Sequence, residues 1–554
     1  MLSGNLPAEL GNLTSLQYIS LNLNQLSGNI PAELGNLSEL QHLSLIGNWL
    51  AGSLPAQLGN LVKLQQLWLG GNQLIGSIPA QLGNLSSLVD LNLASNQLSG
   101  SLPAQLGKLA NLTDMGLADN LLDGSLPAEL GNLTNLRHMY IWSNRLSGSI
   151  PPELGNLANL EHLILEYNQL SGNIPPELSK LTKLTWLALQ GNELNGSIPS
   201  ELGNLNSLNQ LELYINQLSG SIPTELGNLT NLRFIDLSRN HLSGGIPAEL
   251  GSISSLCRID LNHNHLTGNI PIELGNPSEL EYLDLSFNQL NGSIPSEIGN
   301  LTGMVYLNLS VNQLSGNIPA QLGNLVNLIV LRLNDNRLEN EVPDTLVALI
   351  NLALPGTAWD YGSDGLDLDY NKLNVPPDYP DPTDPLQLFL NKYDPDWQFY
   401  QGFEQVIGSL GGELTSLDGR TDFVIPAGAV ITDTTFTFIP LPAPRHSGGW
   451  MKFANNSFDL SAEDGAGNPV KAFNLPITVT LSYTDTDIVG PEDALGLYYW
   501  ESLASTWADA VTTCPGGAYT RNLEGNKLAL PLCHLTEFGL FGNPLHIFLP
   551  VVRR

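Results

Sequence analysis

Leucines and isoleucines fall at fixed offsets from a proline that returns every 24 residues, from Pro7, Pro31 and Pro55 to Pro343, without one slip. Each period carries the alternation L-x-L, which sends both leucines to one side and the residue between them to the other, the mark of a short strand. Short strands at a constant period predict a stacked parallel sheet, because each coil can bury its apolar side only against its neighbours. At about 4.8 Å per rung, fourteen strands give a curved sheet on the order of 65 Å long. An asparagine follows each strand in strict register, from Asn24 to Asn336. Its amide has donors and an acceptor for the backbone groups left open where the chain turns inward. Glycine in L-S-G is read as a tight bend, and proline follows where no backbone donor is needed. Asn371 stands 35 residues after Asn336 instead of 24, an insertion of 11, and is read as a degenerate final coil.

The pattern changes after Leu354. Residues 355–401 hold repeated proline and aspartate, as in P-P-D-Y-P-D-P-T-D-P, and predict a stiff acidic connector around the degenerate coil. From 402 to 543 short runs such as T-D-F-V-I-P, T-T-F-T-F-I-P and I-T-V-T-L-S-Y, separated by turn residues, predict a β-sandwich. Residues 544–554 read either as a C-terminal tail or as a last edge strand.

The segment at 280–301, L-E-Y-L-D-L-S-F-N-Q-L-N-G-S-I-P-S-E-I-G-N-L, resembles the plant-type leucine-rich repeat. That repeat, L-x-x-L-x-L-x-x-N-x-L-x-G-x-I-P-x-x-L-G-x-L, occurs in plant receptor ectodomains and polygalacturonase-inhibiting proteins. The resemblance implies an α/β solenoid of right-handed coils with a parallel sheet on its concave face. Residues 411–430, opening G-G-E-L and closing I-P-A-G-A-V, are similar to the start of the ZU-type domain of zonula occludens protein, netrin receptors and ankyrins. That likeness implies a docking or spacer module. The predicted fold class is an α/β leucine-rich-repeat solenoid (1–354) plus a C-terminal all-β sandwich.

The net charge of −32 disfavours nucleic acid and anionic membranes as partners. No apolar stretch approaches the roughly 20 residues of a membrane span. Met1 is followed by L-S-G-N-L-P, the middle of a coil, so the chain is expected to be an N-terminally truncated reading of a longer protein at the cell surface or outside the cell. Cys514 and Cys533 flank a segment of hairpin alternation around Glu524, Gly525 and Asn526, which leaves either a disulfide across the hairpin or two buried thiols. Cys257 is read as an unpaired thiol.

Candidate chemistry lies on the concave face. In L-x-x-L-x-L-x-x-N the third, fifth, seventh and eighth residues point to the open side of the sheet. His138, Tyr140, Trp142, His162, Tyr167, Trp186 and Tyr214 gather there as an aromatic and imidazole patch, with Trp68 further along. Such groups stack on sugar rings and peptide side chains while their polar tips fix orientation. Glu212, Asp236, Asp260 and Asp284 form an acidic column at strand spacing. An open sheet cannot exclude water as a glycosidase cleft would, so the column fits a basic peptide or a sugar hydroxyl better than a carboxylate pair doing hydrolysis. The two histidines have no obvious third metal ligand, and D-Y-G-S-D-G-L-D-L-D lacks the order of a calcium loop. No cofactor motif, nucleophile elbow, zinc signature or kinase element is present. The expectation is a non-enzymatic binder of a protein, peptide or carbohydrate. The alternative is a structural or adhesion spacer that meets a lattice such as ice or a cell wall.

Overall fold

In the computed structural model each 24-residue period closes one coil. The structure describes residues 1–355, 365–376, 381–416, 420–441, 452–464, 469–470, 472–483, 495–501, 506–510, 514, 517–522, 526–534 and 537–542. Two compact units divide the chain, Met1–Asn291 with Pro295–Leu307, and Gly292–Ile294 with Asn308–Arg554.

In the first unit, one coil shows the construction of all. Trp186–Ala188 is a three-residue strand, Glu193–Ser197 a second strand, and Ser200–Asn204 a turn of 3-10 helix entered from Pro199. Pro199 sits in extended backbone just ahead of the helix, where its missing N–H costs nothing. Leu187 from the first strand, Leu189 just after it, Leu194 from the second strand and Leu202 and Leu205 from the helical side are all fully buried. Asn192 ties the coil to its predecessor. Its Nδ2 donates to Leu165 O (3.1 Å) and Leu189 O (3.0 Å), and its Oδ1 accepts from Leu170 N at 3.0 Å. The same three bonds recur at Asn48, Asn120 and Asn264, so the asparagine column is the buried scaffold that the repeat predicts.

Strands equivalent to Trp186–Ala188 pair in parallel and in register from Tyr18–Ser20 to Tyr282–Asp284. The L-S-G segments, read from sequence as bends, form a second parallel sheet of thirteen strands from Ser3–Asn5 to Gln289–Asn291. Pairing between the backbones of successive coils needs no alternation of side chains, so a single buried leucine in the second strand of a coil, such as Leu194, does not mark it as a strand. The glycine of L-G-N has a different origin. A Cβ at Gly203 would lie 2.3 Å from Glu225 O of the next coil, so only hydrogen fits between the two turns.

In the second unit, Asn371 repeats the asparagine bonds across the insertion, to Leu333 O and Leu368 O (both 3.0 Å) and from Leu338 N (3.0 Å). Residues 381–401, expected as part of an extended connector, instead fold as an α-helix, Pro385–Tyr393, and a 3-10 turn, Trp397–Tyr400. Asp384 caps the helix by accepting from Leu386 N and Gln387 N. Gln401 then takes the place of the next asparagine. Its Oε1 accepts from Leu373 N at 3.1 Å, and its Nε2 donates to Leu368 O (3.0 Å) and Trp397 O (2.8 Å). Residues 356–364 and 377–380, which include the start of the calcium-like motif and part of the proline run, lie outside the described residues, as does 544–554.

Beyond residue 402 lie two antiparallel sheets. One has the order Phe403–Ile407, Thr434–Leu441, Lys452–Asp464, Glu537–Gly542, Leu495–Glu501, Thr506–Asp509. The other runs Gly412–Thr415, Thr421–Ile425, Ala472–Ser482, Lys527–His534, Thr520–Asn522. Both sheets feed one hydrophobic cluster, Phe436, Phe438 and Phe458 from the first and Phe423, Val479 and Leu530 from the second. Cys514 and Cys533 form a disulfide with Cα atoms 5.2 Å apart. Glu524 and Gly525 of the expected hairpin fall outside the described residues. Cys257 is a free, half-buried thiol. Among the described residues no helix is long and apolar enough to cross a membrane.

Candidate binding site

Strand register places one chain of ring and carboxyl groups across the first sheet. His138, His162 and Trp186 are direct neighbours on successive strands. Asp114 Oδ1 accepts from His138 Nδ1 at 2.5 Å, and the His138 and His162 rings lie 4.8 Å apart. The Tyr140 hydroxyl is 2.6 Å from His162 Nδ1, and Trp186 meets His162 edge-on at 5.8 Å. Trp186 Nε1 then donates to Glu212 Oε1 at 3.2 Å. Burial, with the neighbouring His138, holds His162 below the ordinary imidazole range against the opposing pull of Glu161. Gln190 is buried between Glu166 and Glu212, and its Nε2 donates to both carboxylates. Burial pushes both of those carboxyls up, and Glu212 is raised further by Glu166 and Asp236.

The acidic column is less open than its sequence pattern implies. Asp260 and Asp284 are buried. Asp284 Oδ1 accepts from Ser286 N (2.9 Å) and Oγ (2.6 Å), and Tyr306 OH lies 3.4 Å from Oδ2. Asp236 accepts the same pair of bonds from Ser238. Serine two residues after the aspartate thus turns much of the column into turn-stabilising structure. Asp260 Oδ1 accepts the equivalent pair from Asn262 N (3.3 Å) and Nδ2 (2.6 Å). Arg258 donates to its Oδ2 at 2.9 Å while lying 3.8 Å from the centre of the Tyr282 ring, yet burial and the adjacent Asp236 and Asp284 still push its carboxyl up to about 7. A cavity of about 480 Å³ opens here, lined by Glu212, Tyr214, Ile215, Asp236, Arg239 and Asp260 among others.

The leucine-rich repeat region family matches residues 3–144 and 118–260, and the Leucine Rich Repeat family matches 255–277, 279–301 and 303–325. A Leptospira interrogans leucine-rich repeat protein is 34% identical, with a TM-score of 0.53, over 63% of this chain and 88% of that one. This chain belongs to the leucine-rich repeat family. The ectodomain of the Arabidopsis thaliana receptor kinase GASSHO1/SCHENGEN3, solved in complex with CASPARIAN STRIP INTEGRITY FACTOR 2, is 37% identical with a TM-score of 0.58 over 68% of this chain. A TDR receptor is 34% identical with a TM-score of 0.62, also over 68% of this chain. The chain spans 47% and 63% of those two structures, less than two thirds of either. No curated protein matches it.

Within the leucine-rich repeats the remaining predicted residues separate into groups. Trp68 lies edge-on to His42 at 5.1 Å. Trp142 stands 37% exposed beside the patch. Tyr167 and Tyr214 bring their hydroxyls to 3.3 Å across the intervening coil. Gly191 makes that possible, since a Cβ there would meet the Tyr167 ring at 2.6 Å. Glu166, Gln190, Ile215 and Phe287 lie outside the predicted set, because the seventh and eighth positions carry no fixed letter along the repeats. The eighth position is left-handed in every coil from Leu23 to Asp335. Non-glycine residues there cost about 1–2 kcal/mol each. Among the described residues, one group of three possible metal ligands occurs, Asp367, Asp369 and Asp394, within 4.8 Å of one another in the last coil. Asp394 already accepts from Leu368 N at 2.7 Å, and its burial beside Asp369 and Asp367 holds its carboxyl well above the ordinary range.

Proposed function

We propose that this protein is a non-enzymatic binder that receives a peptide or protein segment on the open face of its first sheet. The observation that carries the reading is the unbroken contact chain from Asp114 through His138, His162 and Trp186 to Glu212, made of groups that recognise polar and apolar ligand surface together. The likeness to the GASSHO1/SCHENGEN3 ectodomain, whose structure contains a bound factor, supports it. A surface that met a repeating lattice would show the same residue at every rung. The third-position column instead changes at nine of its twelve steps between Tyr18 and Tyr306, as from Asp114 to His138 and from Trp186 to Gln210, Phe234 and Arg258.

The two C-terminal sheets with their shared apolar cluster support a β-sandwich of the ZU type over 402–543, acting as a docking or spacing module for a protein at the cell surface or outside the cell. Retention of the intact chain on paired peptide and glycan arrays tests the binding reading. Trp186→Ala and Trp142→Ala are expected to lower peptide retention about tenfold or more. Retention on glycans alone, or retention indifferent to both tryptophans, would refute it.

A further inference from the structure

A row of side chains beside the aromatic patch strains the backbone while staying about half exposed. At the eighth position, Gly47, Gly71, Ser95, Asp119 and Ser143 are small or polar residues that suit left-handed backbone. From Tyr167 to Phe287 the occupants are Tyr167, Gly191, Ile215, Arg239, His263 and Phe287, and Leu23 and Val311 carry apolar side chains at the same backbone angle before and after this stretch. Ile215 is β-branched, the type least suited to its φ of 52°. Tyr167, Ile215 and Phe287 remain 49%, 44% and 46% exposed, so packing within the chain, such as the stack of Phe287 on His263 at 4.1 Å and the meeting of the Tyr167 and Tyr214 hydroxyls, offsets only part of the strain. Strain that persists on an exposed surface points outward, to something the side chains touch.

The surroundings define what that is. Ile215 shares the 480 Å³ cavity with Glu212, Asp236 and Asp260, against which stand Arg239 and Arg258. The carboxylates outnumber the guanidinium groups, and burial raises all three of them. Five rung intervals from Tyr167 to Phe287 span about 24 Å, the length of roughly seven residues of extended chain.

We infer that the row from Tyr167 to Phe287 is a specificity track for an extended peptide carrying apolar side chains and at least one lysine or arginine. The apolar groups rest on Tyr167, Ile215 and Phe287, and the basic group enters the Glu212–Asp236–Asp260 cavity. This inference rests on the peptide-binding reading of the same face and adds the chemistry of the ligand.

Strain gives the test two readouts that move in opposite directions. Asparagine adopts left-handed backbone readily, so the double variant Ile215→Asn, Phe287→Asn is expected to raise Tm by on the order of 1–3 °C. The same variant is expected to lose about tenfold in retention on an array of capped peptides printed in lysine, norleucine and glutamate versions. Wild-type protein is expected to favour the lysine versions by a similar factor. A fall in Tm would show that the two side chains serve the fold, and unchanged retention would show that they do not meet the ligand. Either result overturns the track. Equal retention of lysine and norleucine peptides overturns its basic component. If peptide retention depends on Trp186 but not on Ile215 and Phe287, the track fails and the binding face stands, whereas a wild-type protein that retains no peptide removes both.

Discussion

At Gly191 a single hydrogen atom decides whether two tyrosines meet. The residue has a φ of 64°, and any Cβ would sit 2.6 Å from the Tyr167 ring. Gly191→Ala therefore combines a left-handed penalty of about 1 kcal/mol with displacement of Tyr167 from Tyr214. Chemical denaturation should report the first as a lower midpoint, and the tyrosine hydroxyl resonances should report the second. Asp260 gives a residue-scale prediction in pH. Its carboxyl is raised to about 7 in the folded chain, against about 3.9 when unfolded, so the folded state holds the proton more tightly. The stability it contributes is greatest below pH 4 and is lost as pH rises toward 7. Ionisation adds a negative charge to the cavity in the same window, so a lysine peptide should bind more tightly at pH 8 than at pH 6. Asp260→Asn should flatten both profiles, and a binding profile that stays steep in that variant would assign the titration elsewhere.

Whole elements were legible in the sequence to the extent that side chains specify them. The L-x-L strand, the asparagine column and the proline ahead of each 3-10 turn all act through side-chain burial or a missing donor, and each is visible as a fixed letter. The second sheet was not, because its ladder is backbone between coils and its glycines read as turns. The end of the repeats was hidden for a related reason. Gln401 performs the asparagine's bonding from a different residue type, after a helix whose proline and aspartate belong to its cap and first turn, not to a spacer. Of the binding face, the aromatic patch was legible and the strained row was not, since strain depends on backbone angle as well as on identity. The Gln401 rung carries its own prediction. Gln401→Ala leaves Leu373 N and Trp397 O without these bonds in a buried setting, while Leu368 O keeps its bond from Asn371, and should cost about 1–3 kcal/mol. Amide exchange should then quicken at Leu373 while Leu170, held by Asn192, keeps its protection.

Across the whole molecule two kinds of stability coexist in one chain. Coils of the first unit depend on the rungs next to them, as the bonds of Asn192 to one preceding coil show, so their stability is a sum of neighbour contacts. The C-terminal sheets depend on strands far apart in sequence, such as Lys452–Asp464 against Glu537–Gly542, gathered on one apolar cluster. The Cys514–Cys533 disulfide acts only on the second kind. It closes a loop over a separation of 19 residues, which restricts the unfolded chain by about 3 kcal/mol. Cys257, the thiol within the repeats, is already free, so a reductant changes nothing there. Reduction, or Cys533→Ser, should therefore lower the melting temperature of the C-terminal sheets, followed by aromatic signals such as those of Phe436 and Phe458. The tyrosine signals of Tyr167 and Tyr214 should melt where they did before. A common shift of both sets would mean that the repeats and the sheets unfold as one cooperative body, and the division of stability argued from their contacts would fall.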